Sequence, residues 1–333
     1  MKLPLPGGRV LAFIACVYAV CAAGGAVAGG VEFDLQGHRG ARGLAPENTL
    51  AAFKTALTVG VHTLELDVGV TRDGQVVVAH DQRLNPNITR DASGQWLADV
   101  GPPLNTLTLA ELQRYDVGRL KPGSRYAEGF AQQQPADGER MPTLDALFAM
   151  VRNHGHSRVR FNIETKLTPQ TPALSPEPEA FVKAVLAVVD QHGLRARISI
   201  QSFDWRTLRA AQKLAPDVAT VALTAQQAFL DNVGDSREAD AGRWTAGLRL
   251  QDHGGSVPRL VQAVGAGTWS QYHADLRPAL LAQAHTLGLK VVPWTVNDTA
   301  LMDKLLDWGV DGLITDYPDR LRTVMARRGL PLP

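Results

Sequence analysis

Thiols are scarce in this sequence of 333 residues, because its only two cysteines, Cys16 and Cys21, both lie within the first 28 residues. A mature chain without that segment would have no disulfide and no cysteine nucleophile. A dinucleotide-binding fingerprint is also lacking, since residues 37–40 are too short for one. The formal net charge is +1, and removal of residues 1–28 leaves 32 basic and 33 acidic side chains. This balance lacks the basic footprint of nucleic-acid-binding proteins, so we expect no nucleic-acid partner.

The N-terminus has the pattern of a secretory signal peptide over residues 1–28. Lys2 and Arg9 precede an uncharged stretch, which ends in a small-x-small sequence at residues 26–28. We expect cleavage after this sequence, export of the mature chain to the periplasm or the medium, and no stable membrane insertion afterwards. The alternatives are an uncleaved membrane anchor and lipid attachment at a cysteine, although the glycines and alanines of the second half make a poor anchor.

Short apolar runs alternate with stretches of helical period along the rest of the chain. Strands are predicted at 35–37, 63–70, 75–79, 158–165, 197–202, 218–223, 268–271, 290–295 and 312–315, and helices at 49–59, 177–191, 205–214, 276–287 and 300–308. Repeated strand–helix units of this number favour an α/β fold with one domain over residues 29–333, a TIM-type (β/α)8 barrel, over an open doubly wound sheet.

One segment interrupts this alternation. Residues from about 82 to 141 are rich in Asn, Gly, Pro and Gln, and contain one helical pattern at 108–115. A structureless loop of this length is uncommon in a compact domain. We therefore predict a small insertion over the C-terminal mouth of the barrel.

Acidic side chains follow the predicted strands in a pattern that suggests a metal site. Glu65 and Asp67 are two residues apart on one strand, so their side chains point to the same side of it, and Glu164 ends the next long strand. Their neighbours are apolar, and burial of unpaired carboxylates is costly unless a cation compensates them. Three carboxylates without thiols indicate one hard divalent cation, Ca²⁺ or Mg²⁺, rather than Zn²⁺.

Imidazole and cationic side chains lie at the same predicted strand ends. His38 and Arg39 follow the first strand, His80 follows the short third strand, and Lys166 lies two residues beyond Glu164. In a TIM barrel, reactive residues come from the C-terminal ends of several strands. We expect these side chains to share one mouth and to bind an anionic ligand. Five other histidines are assigned to the surface or to packing: His62, His154, His156, His192 and His285.

The motifs together resemble those of the glycerophosphodiester phosphodiesterase family over essentially the whole mature chain. The segments that carry the resemblance are Gln36-Gly37-His38-Arg39-Gly40, Ala45-Pro46-Glu47-Asn48-Thr49, Glu65-Leu66-Asp67, Thr71-Arg72-Asp73-Gly74, His80-Asp81, Asn162-Ile163-Glu164-Thr165-Lys166, Gln201-Ser202-Phe203, Trp294-Thr295-Val296-Asn297 and Asp311-Gly312-Leu313-Ile314-Thr315-Asp316-Tyr317-Pro318. Any one of them alone would be a weak signal. Their shared order and spacing make the resemblance specific.

The resemblance implies metal-dependent hydrolysis of small-molecule glycerophosphodiesters to glycerol 3-phosphate and an alcohol. Carried over to matching positions, it assigns Glu65, Asp67 and Glu164 as metal ligands, His38 and His80 as the acid/base pair, Arg39 and Lys166 as phosphate-contacting cations, and Glu47 and Asn48 as supporting residues. Alternatives on the same barrel are a lysophospholipase D, a phosphoinositide-type phospholipase, or a non-catalytic phosphodiester-binding protein. The long insertion leaves the headgroup preference open.

Overall fold

The computed structural model describes residues 1–4, 33–234 and 242–333. The predicted signal peptide lies almost entirely outside the described residues, and its cleavage stays a prediction. The chain divides into Met1–Val31 and a compact unit over Glu32–Pro333. Among the described residues, no helix is both long and apolar enough to cross a membrane.

A ring of parallel strands forms the centre of the compact unit. The strands are β1 (Asp34–Gly37), β2 (Thr63–Val70), β3 (Val76–Val78), β4 (Arg160–Thr165), β5 (Ile198–Ser202), β6 (Ala219–Thr224), β7 (Gln226–Gln227), β8 (Leu230–Asp231), β9 (Thr268–Gln271), β10 (Lys290–Val291) and β11 (Gly312–Thr315). The spatial order of the eight parallel strands is β10-β9-β6-β5-β4-β2-β1-β11. β3 pairs antiparallel with β2 across the turn at Arg72-Asp73-Gly74, and β7 and β8 form a separate ribbon.

Backbone hydrogen bonds close the ring between its two end strands. Asp311 N–H donates to Val291 O at 2.9 Å, and Ile314 N–H donates to Pro293 O at 3.0 Å. The predicted α/β barrel is therefore confirmed. β10 ends at Val291 and not at residue 295, because Pro293 has no N–H group to donate to a ladder.

Helices pack around the outside of the ring. They are α1 (Leu50–Val59), α2 (Leu109–Leu112), α3 (Arg125–Glu128), α4 (Leu144–Asn153), α5 (Pro178–Gln191), α6 (Trp205–Leu214), α7 (Val257–Val264), α8 (Pro278–Thr286), α9 (Thr299–Trp308) and α10 (Pro318–Arg327). In α1, the Thr49 hydroxyl accepts from Ala52 N–H, and Phe53, Ala56 and Leu57 are buried against the barrel.

Four of these helices, α3, α4, α7 and α10, lie outside the set that the sequence pattern predicts. α3 has four residues, too few to show a helical period. The other three have eight to ten residues, about as many as several helices that the pattern does predict, so their length does not explain the difference. Proline in the first turn of α7 and of α10 is compatible with a helix, because an N–H group at that position has no partner within the helix.

The predicted insertion contains α2, α3 and several turns between β3 and α4. Its apolar side chains form a small core beside the main one together with Val77 and Ala79 of the β3 segment; the members from the insertion are Leu84, Leu104, Leu112, Val117 and Met141. Gln134 N–H donates to Leu44 O at 2.9 Å, and the Gln133 amide donates to Arg42 O at 2.7 Å. Because residues 38–49 follow β1, these contacts attach the insertion to the C-terminal mouth of the barrel.

Candidate active site

Three buried carboxylates lie together at the C-terminal mouth. Glu65 and Asp67 are on β2 and Glu164 is on β4, where Asp67 and Glu164 are partners in the strand register. The three residues Glu65, Asp67 and Glu164 are 1%, 1% and 7% exposed, respectively. One oxygen from each carboxylate lies within 4.8 Å of the others. The structure thus brings together all three predicted metal ligands.

Crowding and burial change the acidity of this cluster. Burial, together with the negative charge of Asp67, raises the pKa of Glu65 well above its usual value. Burial also raises the pKa of Glu164 to about 7, against the opposing effect of Lys166. Burial would raise the pKa of Asp67 too, but His80, Lys166 and Arg39 hold it below its usual range. Glu65 and Glu164 therefore bind their protons more tightly than usual, whereas Asp67 stays ionised.

The two predicted cations contact these carboxylates. Lys166 Nζ lies 2.6 Å from Glu164 Oε1 and 3.6 Å from Asp67 Oδ1. Arg39 Nε lies 3.3 Å from Asp67 Oδ2, and Arg39 N–H donates to Glu65 Oε2 at 2.9 Å. Both cations are therefore held at the acidic cluster and can also face an anion bound above it.

A chain of contacts connects Arg39 to the insertion. Arg39 Nη1 donates to Glu47 Oε1 at 2.6 Å, and the hydroxyl of Tyr126 in α3 donates to the other oxygen of Glu47. Asn48 Nδ2 donates to Asp67 Oδ2 at 2.9 Å from a backbone with φ of 55°, which asparagine tolerates well. Glu47 and Asn48 thus orient the first cation and a carboxylate, as the sequence motif suggests.

His38 is fixed by a carboxylate that sequence reasoning did not select. Its Nδ1 lies 2.6 Å from Asp316 Oδ1, in the segment that follows β11. Arg42 binds the same carboxylate with two nitrogens, at 2.8 Å and 3.0 Å. Burial and the charge of Arg42 lower the pKa of His38 to about 4. The Asp316 carboxylate accepts a hydrogen bond from Nδ1–H. The neutral ring therefore has its lone pair on Nε2, which lies 3.9 Å from Glu65 Oε2.

His80, which follows β3, has a similar arrangement. Its Nδ1 lies 2.8 Å from Asp81 Oδ1, and Asn85 donates to the second oxygen of that carboxylate at 2.8 Å. Burial, together with the charges of Arg39 and Lys166, lowers the pKa of His80. The His80 side chain is 31% exposed and lines the cavity described below.

A cavity of about 500 Å³ opens above these groups. Its polar side includes His38, Arg39, Arg42, His80, Glu164 and Lys166. Its other side is apolar and aromatic. All seven predicted site residues except Asp67 line this cavity directly, and Asp67 lies beneath Arg39 and Lys166.

The three carboxylates fit a hard divalent cation. Asp67 Oδ1 is buried without a hydrogen-bond donor, and the pKa values of Glu65 and Glu164 are raised by burial. A bound cation would give Asp67 Oδ1 a partner and would lower the pKa values of Glu65 and Glu164 again. The donor set consists of carboxylate oxygens alone, which suits Ca²⁺ or Mg²⁺.

Three supporting residues were missed by sequence reasoning. Gln201, at the end of β5, donates to Glu65 Oε1 at 2.6 Å, and Asp316 and Arg42 hold His38. Asp316 follows directly after β11 and Gln201 lies within the last two residues of β5. The rule that locates reactive groups at strand ends would have selected both. Arg42 has no comparable signal, because it lies in a loop.

Known proteins share this architecture. The model of the glycerophosphoryl diester phosphodiesterase family matches residues 38–320. A glycerophosphodiester phosphodiesterase from Caldanaerobacter subterraneus subsp. tengcongensis is 28% identical over 292 residues, which cover 88% of this chain and 97% of that protein. A Silicibacter pomeroyi DSS-3 crystal structure, assigned as a glycerophosphoryl diester phosphodiesterase, is 34% identical with a TM-score of 0.80 and covers 90% of this chain and 95% of that one.

A phosphodiesterase from Oleispira antarctica, solved with its product sn-glycerol-3-phosphate, has the same fold. It gives a TM-score of 0.63 at 23% identity, and the match covers 88% of this chain and 96% of that one. The barrel, its acidic cluster and the paired imidazoles and cations at one mouth define the class: a TIM-barrel hydrolase of phosphoric diesters. Within this class, the chain belongs to the glycerophosphoryl diester phosphodiesterase family.

The Asp316 carboxylate gives a first test of how the site is positioned. Asp316→Asn keeps the side-chain volume but replaces one acceptor oxygen with a donor, so His38 Nδ1–H loses its fixed partner. We expect kcat to fall by about 10–100-fold, as is typical when the outer partner of a functional histidine is changed. Steady-state assays should show this fall, and a melting curve should show a lower Tm as well, because the buried guanidinium of Arg42 loses the charge of its partner. An unchanged kcat would contradict the positioning role.

Proposed function

We propose that this enzyme hydrolyses glycerophosphodiesters to sn-glycerol 3-phosphate and an alcohol, with a bound divalent cation. The observation that carries the proposal is the convergence of a buried carboxylate cluster, two cations and two carboxylate-oriented imidazoles on one cavity. The product complex of the Oleispira antarctica phosphodiesterase supports the choice of substrate class.

Glu65, Asp67 and Glu164 would hold the cation. When bound, it would supply positive charge at the non-bridging oxygens of the phosphate. Arg39 and Lys166 would bind the same oxygens from the protein side, since both lie at the edge of the cluster and face the cavity. Charge that develops on phosphorus oxygens in the transition state is stabilised by such preorganised cations.

His38 and His80 would move the protons. Cleavage requires that an attacking hydroxyl loses a proton, that a new P–O bond forms, and that the departing alkoxide gains a proton as the old P–O bond breaks. Each imidazole has its Nδ1 occupied by a carboxylate, so Nε2 is the atom that exchanges the proton. The rings come from different strand ends, after β1 and after β3, and can reach the phosphorus from two sides.

The decisive experiment compares substrates with and without a chelator. Purified protein is incubated with glycerophosphocholine or lysophosphatidylcholine, before and after exhaustive EDTA dialysis. We expect glycerophosphocholine hydrolysis with sn-glycerol 3-phosphate as product, loss of activity on chelation, and recovery with Ca²⁺ or Mg²⁺. Full activity in dialysed protein that contains no metal by elemental analysis would contradict the metal-dependent mechanism. Exclusive hydrolysis of lysophosphatidylcholine would favour a lysophospholipase D.

Export is a separate proposal, supported by the charged start and the small-x-small sequence at residues 26–28. Intact-mass measurement of the protein from its native host should give a chain that lacks the first 28 residues. A full-length product that stays in the membrane fraction would instead favour an uncleaved anchor.

A further inference from the structure

The cavity has two chemically different halves, and each half is lined by residues from a different set of strands and the segments that follow them. Strands β1, β2, β4 and β5 contribute the carboxylates, cations and amides described above. Across from them, the lining comes from Leu223 at the end of β6, from Phe229 and Leu230 in the β7–β8 ribbon, and from Trp294 and Ile314. Phosphate binding uses only the first half, so the second half faces the remainder of the substrate.

Four aromatic rings form a continuous row at this second half: Phe203, Trp294 and Phe229 line the cavity, and Tyr272 joins Trp294 to Phe229. Phe203 and Trp294 lie 5.3 Å apart between centroids at 85°, Trp294 and Tyr272 lie 5.4 Å apart at 64°, and Tyr272 and Phe229 lie 5.3 Å apart at 79°. We call these four residues the aromatic row. The steep angles place the edge of one ring against the face of the next. A fifth ring, Trp244, also lines the cavity.

The aromatic row begins beside the phosphate-binding cations. Lys166 Nζ lies 6.0 Å from the centroid of the Phe203 ring, so the row continues directly from the proposed phosphate position. Phe229, at the far end, is 65% exposed. A leaving group attached to the phosphate would therefore extend along the rings toward solvent.

The chemistry of this wall selects among headgroups. None of its lining residues, all of which lie in the described part of the chain, carries a charge, and Trp294 Nε1 already donates to Ser270 O at 3.2 Å. A primary ammonium, a serine headgroup or a polyol would lose several hydrogen bonds to water and gain, on this side of the cavity, little more than the hydroxyl of Thr295 in return. A quaternary ammonium has no N–H group to satisfy, and its charge is attracted to ring faces within about 6 Å.

We propose that the aromatic row binds a quaternary ammonium headgroup, so that the preferred substrates are glycerophosphodiesters of choline type. This inference rests on the proposed glycerophosphodiesterase function and specifies its substrate class. An extended acyl chain would fit a wall of aliphatic side chains better than one built mainly from inclined rings. Two carbons join the ester oxygen of choline to its nitrogen, so the ammonium lies close to the phosphate, where the row begins.

A carbon isostere separates charge recognition from simple hydrophobic contact. Three diesters of glycerol phosphate are compared: the choline ester, the 3,3-dimethylbutyl ester, which has the same shape without charge, and the ethanolamine ester. We expect kcat/KM for the choline ester to exceed both others by about 5-fold or more, within the range of desolvated cation–π contacts. Equal values for the choline and dimethylbutyl esters would overturn the inference. Failure to hydrolyse any of the three would overturn the proposed function itself.

Variants then test whether the rings cause the preference. Phe203→Leu and Trp294→Leu, at the end of the row that lies beside the phosphate, should each lower the ratio of choline to dimethylbutyl kcat/KM toward one, whereas Phe203→Tyr, which keeps a ring, should retain it. Phe229 lies at the exposed far end of the row, so Phe229→Leu should change this ratio less than either of them. Trp308→Leu, at the end of α9 away from the strand ends, is the matched control and should keep the parent ratio. A parent ratio in both Phe203→Leu and Trp294→Leu, or a higher kcat/KM for lysophosphatidylcholine than for glycerophosphocholine, would overturn the inference.

Discussion

His38→Ala and His80→Ala are each expected to lower kcat by about 10²–10⁴, the usual contribution of a positioned acid or base. Metal content should stay at the parent level, because neither imidazole is assigned as a ligand. His38 Nε2 is 3.9 Å from Glu65 Oε2, beyond hydrogen-bond distance, so removal of the ring leaves the carboxylates in place. Stopped or continuous assays with elemental analysis of the same samples measure both quantities.

The leaving group can separate the two histidines by role. In a p-nitrophenyl ester of glycerol phosphate, the leaving group departs without help from an acid, because p-nitrophenolate is a stable anion. The variant that lacks the general acid should therefore recover most of its rate on this substrate, whereas the variant that lacks the general base should stay slow. The same comparison assigns acid and base, which the symmetric His–Asp contacts of the two rings leave open.

A matched histidine serves as the control. His154 follows α4, and its Nδ1 lies 2.8 Å from the Met150 carbonyl oxygen, away from the strand ends. His154→Ala should keep the parent kcat. A turnover within a few-fold of the parent in His80→Ala would mean that His80 is a surface residue after a hairpin. That result would defeat the proposed mechanism but would leave the barrel and the family unaffected.

The sequence allowed the barrel to be predicted because its strands have a simple physical signature. β2 is buried along all eight residues, so its apolar run is continuous except at Glu65 and Asp67, which point into the mouth. Side chains two residues apart on such a strand share a face, and strand ends share a mouth. These two rules were sufficient to group the carboxylates, the histidines and the two cations.

The strand-end rule would place Asp316 at the mouth, but it could not predict which side chains pair with each other there when they are distant in sequence. Asp316 contacts His38 across 278 residues, and Tyr126 contacts Glu47 across 79 residues from inside the insertion. No local periodicity encodes such contacts. The insertion has composition typical of loops, yet it buries a small core of its own and uses α3 to orient Glu47 and, through it, Arg39. Its contribution to the site became visible only in three dimensions.

The aromatic row likewise could not be predicted from sequence patterns. Its members come from the segment after β5, the β7–β8 ribbon, the segment after β9 and the segment after β10, and each is an ordinary aromatic residue in its own sequence context. Only the closure of the ring brings them within 5.4 Å of their neighbours. Substrate preference therefore depends on tertiary structure, whereas the chemistry of the phosphate site can be recognised from motifs.

Asp67→Asn is the second substitution for which we expect a large effect, in this case on metal binding. The change keeps the side-chain volume and an oxygen for Arg39 but removes one of three ligand charges. Alteration of an outer partner of a metal ligand typically costs about 10–100-fold in affinity, and removal of a ligand charge should reach at least the upper part of that range. Excess cation should then restore part of the activity, which distinguishes lost binding from lost chemistry.

Thermal stability provides a readout of the same variant that is independent of turnover. A ligand that binds only the folded state stabilises it by about 2.7 kcal/mol at 100 times its Kd, so Ca²⁺ or Mg²⁺ should raise the Tm of the parent. In Asp67→Asn the same cation concentration should raise Tm much less, because the site is mostly empty. Exposed Asp252→Asn is the matched control and should respond like the parent. An equal Tm increase in Asp67→Asn and in the parent would show that the cation binds elsewhere, since the carboxylate cluster cannot lose a ligand charge without a loss of affinity.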